Sequence, residues 1–215
     1  MNIPAMQSQY RGYRFRSRLE ARWAIFFDAL GVQWQYEPET FDLTDRYASL
    51  LSEYSWMAHS SPRLNPNDRL IYTPDFLLPN VRGGLYVEIK PYQQAEWWGN
   101  HAQYPFLYEK VCICLEGVIA HGEPGTRKDE TYEVLTGGDT YHYFGYCSHC
   151  GAFGEGYCAW AERICADHAH CGHSQKDDMT TDPAYIEAVT CSRYALFTGG
   201  ICNADYRRSA LTPVD

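Results

Sequence analysis

The chain is short of positive charge. Among its 215 residues, 18 Lys and Arg face 27 Asp and Glu, a formal net charge of −9. A protein that holds nucleic acid over a broad surface is normally basic, so any such contact here has to be local. Long apolar runs are also missing. None approaches the roughly 20 residues that a membrane span needs, which speaks against a membrane partner. The opening MNIPAMQSQYRGYRFRSR has no apolar core of the export type. The expectation is a cytoplasmic protein, in a compartment where thiols stay reduced. Internal repeats and low-complexity tracts are absent, so nothing points to a solenoid or a disordered tail.

What is present supports one good core and a small appendage: 45% of residues are hydrophobic and 15% aromatic. The positive charge is concentrated. Arg11, Arg14, Arg16, Arg18 and Arg22 fall within twelve residues against one acid, Glu20. Screening limits each charge to about 8–10 Å at physiological salt, so local charge is what a ligand meets. The alternative is an ordinary solvated helix face. Nine cysteines in a reducing compartment need an explanation other than disulfides. Cys112 and Cys114 alternate along an apolar run and read as core. Five others lie between Cys147 and Cys171, which points to metal.

The spacing of Leu19, Trp23, Phe26, Phe27 and Leu30 predicts a helix over 15–30, with Ser17 and Glu20 as a capping box and Gly31 as its stop. Strands are predicted at 32–36 and 40–43. Residues 44–70 read as an insertion, with a helix from Asp45 to Met57 and a Pro- and Asn-rich loop after it. Strands at 70–78 and 85–90 flank a Gly83-Gly84 turn and form an antiparallel hairpin. A helix over 93–109 and a strand over 111–115 follow, and Pro105 should kink the helix. The expected fold is therefore α/β, a mixed sheet flanked by helices, over residues 1–120. Residues 121–215 form a second region, with a hairpin across Gly137-Gly138, the cysteine cluster, and a last helix over 183–197 capped by Asp182.

The residues that carry chemistry are Pro74-Asp75 on one predicted strand and Glu88-Ile89-Lys90 on the next, with twelve residues between the two acids. Alternate residues of a strand share a face, so Glu88 and Lys90 project together, and a hairpin partner can bring Asp75 beside them. Both flanking runs are apolar, and two acids and a lysine are costly to bury unless they pair or hold a metal. Two converging carboxylates, with the Ile89 carbonyl nearby, suit a hard cation such as Mg²⁺ or Mn²⁺. Such an ion polarises a phosphate oxygen, activates a water and offsets developing charge. Lys90 would orient that water, and Glu20 on the first helix would add a third carboxylate. The competing explanation is a Lys–Glu pair at a sheet edge.

The stretch YRGYRFRSRLEARWAIFFDALGVQWQYEPETFDL, followed by YTPDFLLP and then YVEIKP, resembles PD-(D/E)XK nuclease-like proteins of phages and mobile elements. In that group a helix bearing RSRLEARWA precedes a PDF strand and an ExK strand. The resemblance covers residues 10–43 and 70–117. It implies a restriction-endonuclease-like core and Mg²⁺-dependent cleavage of phosphodiester bonds. It also implies metal binding by Asp75 and Glu88, a catalytic role for Lys90 and a supporting acid at Glu20. Residues 44–69 are longer than that pattern, and Pro91 directly follows Lys90. On this reading Arg14, Arg16, Arg18 and Arg22 contact the nucleic acid.

More loosely, the C-terminal part is similar to a CxxCG knuckle followed by a second ligand pair and a helix with an aromatic end. CxxC points two thiolates at one ion, which is the strongest local zinc signal. Cys147 and Cys150 supply that half. Cys171 and His173 are favoured for the other half, on the resemblance and because Gly172 permits a tight turn, with Cys165 and His168 as the alternative pair. A structural Zn²⁺ is expected, since no helical HExxH arrangement suits a catalytic one.

Three functions follow. The first is an endonuclease acting on DNA. The second is a protein that keeps the fold without cleaving and binds a protein partner, as an anti-defence or assembly factor. The acidic balance and the insertion favour it. The third is an RNase, since the metal chemistry does not distinguish the sugars. Trp97, Trp98, Tyr104 and Tyr108 could stack on unpaired bases or pack a helix onto the sheet.

Overall fold

The computed structural model describes residues 6–54, 65, 67–81, 83–91, 106, 110, 112–116, 132–133, 142–146, 153–157 and 183–207. It is a mixed α/β structure. Strands β1 (Ser8–Tyr10) and β2 (Tyr13–Phe15) form a hairpin across Arg11-Gly12. Both turn residues have positive φ, 49° and 80°, as a two-residue turn matched to the strand twist requires. Helix α1 (Arg18–Ala29) follows, with Ser17 as its N-cap. The Ser17 hydroxyl accepts the Glu20 N–H at 3.1 Å, so the capping signal sets the helix start and leaves Phe15 in a strand.

Next come β3 (Gln35–Tyr36), β4 (Phe41–Asp42), α2 (Thr44–Glu53), β5 (Ile71–Tyr72), β6 (Phe76–Leu78), β7 (Leu85–Lys90), β8 (Cys112–Glu116), β9 (Tyr132–Glu133), β10 (His142–Tyr146), β11 (Phe153–Tyr157), α3 (Pro183–Tyr194) and β12 (Ile201–Cys202). The main sheet has five strands in the order β3-β6-β7-β8-β9, with β7 and β8 parallel and the other pairs antiparallel.

Alternation along β7 divides the core. Leu85, Val87 and Ile89 join α1, α3 and Phe76 in one buried cluster. Tyr86 joins Leu43, Tyr47, Leu50, Tyr72, Phe106 and Cys112 in the other. The sheet thus lies between helices, and α2, expected as part of an insertion, covers one of its faces.

Several expectations are corrected. The single strand over 70–78 is two: β5 pairs with β4 in a separate ladder, and the chain bends at Asp75 before β6 begins. Pro74 explains the break, since it lacks a ladder donor and restricts the residue before it. The turn of the hairpin expected across Gly137-Gly138 lies outside the described residues; among these, β9 pairs with β8 and β10 with β11. The terminal helix stops at Tyr194. Its Ala184, Tyr185, Ala188 and Val189 pack in the same core as α1, and β12 pairs in parallel with β1. The helix predicted over 93–109 lies outside the described residues except for Phe106, which is helical and buried. No described helix is long and apolar enough to cross a membrane.

Candidate functional site

Three carboxylates, Glu20, Asp75 and Glu88, are buried, which is unusual for acids unless they are paired. The sheet register explains their approach. β6 pairs with β7 through Phe76 and Val87. One step further, the same register sets Asp75 opposite Glu88, where side chains share a face. On the other edge β3 pairs Tyr36 with Phe76. One step on, the Glu37 N–H donates to the Asp75 carbonyl at 2.9 Å. Asp75 therefore sits at the mouth of β6, between the strand that carries Glu88 and Lys90 and the strand that leads to Glu37.

Each acid has a specific set of partners. Asp75 Oδ2 accepts the Ile89 N–H at 2.7 Å, and Oδ1 takes the Arg16 guanidinium. Burial raises the Asp75 carboxyl well above its ordinary range, and the Glu88 and Glu20 charges push the same way, against Arg16 and the Ile89 N–H. Glu88 Oε2 accepts the Tyr72 hydroxyl at 2.9 Å, and Oε1 pairs with the Lys90 ammonium. Burial, then Cys112 and Glu88, raise the Tyr72 hydroxyl, so it is held as a donor. Glu20 Oε1 accepts the Ser17 hydroxyl at 2.8 Å, and Oε2 accepts the Tyr36 hydroxyl at 2.6 Å and the Arg16 N–H at 3.1 Å.

Arg16 is the residue that sequence reasoning placed differently. It was grouped with the surface arginines. Instead it bridges Asp75 and Glu37, the latter at 3.0 Å, with Glu20 at 4.0 Å. Glu37 was not singled out at all. Its φ of 44° lies in a region that L residues seldom occupy. Tyr36 and Tyr72 were read only as strand formers, although each donates to a site carboxylate.

The expected patch of Arg14, Arg16, Arg18 and Arg22 divides. Arg14 is exposed on β2 and donates to Gln7 Oε1 at 3.1 Å. Arg18 and Arg22 lie two positions either side of Glu20, about 200° around the helix from it at 3.6 residues per turn. They face away from the carboxylates. Arg11 is spent on Asp28, at 2.6 Å.

Among the described residues, no three His, Cys, Asp or Glu side chains form a group placed to enclose a metal ion. The guanidinium of Arg16 and the ammonium of Lys90 lie on the carboxylates instead. The donor chemistry nevertheless fits a hard divalent cation: all-oxygen ligands, buried, and mutually repelling around Asp75. Cys147, Cys150, Cys171 and His173, and the alternatives Cys165 and His168, lie outside the described residues. A cavity of about 390 Å³ opens beside Asp28, Trp34 and Arg207 and includes none of Glu20, Asp75, Glu88 or Lys90.

No family model, curated protein or solved structure matches this chain.

Proposed function

We propose that this chain is a metal-dependent nuclease that hydrolyses phosphodiester bonds in DNA. One observation carries the proposal. Three buried carboxylates act on one another at the end of β6, and Lys90 is paired to one of them. Buried acids that repel one another cost stability, and such perturbed groups cluster at functional sites, which supports a role in binding or catalysis. Asp75 and Glu88 would hold a Mg²⁺ or Mn²⁺ ion, with Glu20 in support. Such an ion, when bound, supplies charge neutralisation and an activated water.

The chain's own residues do the rest. The Ile89 N–H and the Tyr72 hydroxyl fix the orientation of the Asp75 and Glu88 carboxylates. Tyr36 and Ser17 do the same for Glu20. Lys90 is half-buried beside Glu88, within reach of both solvent and the acid, and would orient the attacking water and stabilise charge on the phosphate. A structural Zn²⁺ held by Cys147, Cys150, Cys171 and His173 belongs to the same proposal. In its support, the segment 147–152 joins β10 to β11, whose ladder ends at Tyr146 and Phe153.

A specific observation favours the non-cleaving reading. Arg16 and Lys90 already offset the charge of Asp75 and Glu88, so a closed cluster would need no metal. The deciding experiment incubates the protein with plasmid, single-stranded DNA and structured RNA, with and without Mg²⁺ or Mn²⁺. Metal-dependent DNA cleavage, lost in both Glu88→Ala and Lys90→Ala with the fold retained, is the expected result. Cleavage of RNA alone would make the protein an RNase. Binding without cleavage under either metal would establish the non-cleaving reading.

A further inference from the structure

Helices α1 and α3 pack antiparallel. Phe26 meets Tyr185 edge to face at 5.4 Å, while Arg18, two turns earlier, lies over the Phe197 ring at 5.5 Å, beyond the end of α3. The seam between these contacts collects positive charge. Arg18 and Arg22 are one turn apart on α1, and Arg193 comes from the last turn of α3. Burial lowers the Arg22 pKa, and the Arg18 and Arg193 charges lower it further, so both charges reach Arg22.

No carboxylate among the described residues pairs with them. Arg22 makes no hydrogen bond or ion pair there. Arg18 rests an Nη2 on the Met6 sulfur, a weak acceptor, at 2.7 Å. The Nε hydrogens of both Arg18 and Arg22 are buried without an acceptor. The carbonyl end of α3 offsets part of the charge, yet none of its carbonyls accepts from Arg18 or Arg22. Water can satisfy an N–H, but it does not offset three like charges. An oxyanion does both. The side chains of all three arginines are half-buried, so a ligand can reach them.

We propose that Arg18, Arg22 and Arg193 form a phosphate-binding site at the α1–α3 seam. Guanidinium forks match the oxygens of a phosphate group with paired, charge-assisted hydrogen bonds. Arg18 and Arg22 lie about 200° around α1 from Glu20, so the phosphate held there is not the one at the carboxylate cluster. The inference does not depend on the nuclease reading.

The test is thermal unfolding of the full chain at fixed pH and ionic strength, with chloride replaced stepwise by inorganic phosphate and no divalent metal. A saturable rise in Tm is expected for the wild type. Arg22→Gln and Arg193→Gln should each weaken phosphate affinity about tenfold or more. Without phosphate, Arg22→Gln should be at least as stable as the wild type, because it removes an unpartnered charge. A purely structural arginine would give the opposite sign. Glu88→Ala should keep the full phosphate response, which separates this site from the carboxylate cluster. Displacement of phosphate by a short single-stranded oligonucleotide would assign the site to a nucleic-acid backbone, and lack of displacement to free phosphate. Either result supports the site. No saturable shift, a shift unchanged in both variants, or loss of stability in Arg22→Gln without phosphate would overturn it.

Discussion

Replacing Arg16 by glutamine should make the protein less stable without metal and more responsive to Mg²⁺. Arg16 is the cation nearest the Asp75 carboxylate, and it also spans Glu37 at 3.0 Å and approaches Glu20 at 4.0 Å. Breaking a fully buried pair costs about 3–5 kcal/mol. Exposed pairs are worth about 1 kcal/mol or less. The Arg16 side chain is 54% exposed and that of Asp75 only 2%, so the loss is discounted to roughly 1–2 kcal/mol. At about 2–4 °C per kcal/mol for a chain of this size, Tm should fall by roughly 2–8 °C. The same change leaves Asp75 facing Glu88 and Glu20 with no guanidinium in the way. A divalent ion then meets less competition, and at one hundred times its Kd it adds about 2.7 kcal/mol. Thermal unfolding with and without MgCl₂ at constant ionic strength reads both effects. Equal Mg²⁺ responses in wild type and variant, or none in either, would refute the idea that Arg16 holds the place of a metal.

Asp75→Asn should raise Tm at neutral pH while abolishing DNA cleavage. The raised Asp75 pKa means the folded state holds its proton above the ordinary value of 3.8. Ionisation therefore costs stability as pH rises, and the advantage of the variant should fade as pH falls toward that value; a variant that is less stable at neutral pH contradicts this. Asp28→Ala should cost about 2–4 kcal/mol in urea unfolding. It strands the Tyr10 hydroxyl at 2.8 Å, Arg11 at 2.6 Å and the Trp34 Nε1–H at 3.0 Å, and a cost below about 1 kcal/mol would show these donors find other partners. Cys147→Ser with Cys150→Ser should remove one zinc per chain by elemental analysis, and unchanged zinc content would refute that ligand set.

The parts legible in the sequence are those set by local rules. The apolar spacing of Trp23, Phe26 and Phe27 and the Ser17–Glu20 signal located α1 to within a few residues. The alternation Tyr86, Glu88, Lys90 against Leu85, Val87, Ile89 fixed the faces of β7, and the Gly83-Gly84 turn located its hairpin with β6. What stayed hidden depends on partners distant in sequence. Arg16 and Asp75 are 59 residues apart, and no periodicity marks an arginine as a counter-ion rather than a surface charge. Ile71 and Tyr72 read as one strand with Phe76 because all favour extended backbone, and the pairing of β5 with β4 is decided by the geometry of the sheet edge.

The antiparallel seam of α1 and α3 also has a consequence in time. About 150 residues separate the end of α1 from the start of α3, which at 5–20 residues per second is roughly 8–30 s of synthesis. Through that interval the stripe of α1 that later meets Tyr185, Ala188 and Val189 has no cover, and Phe26 is part of it. The parallel pairing of β1 with β12 waits longer still. The nascent chain should therefore engage chaperones while it carries an uncovered apolar ridge. Release should come only after residues 183–202 leave the ribosome, and a ribosome-bound chain ending before Pro183 would remain chaperone-bound.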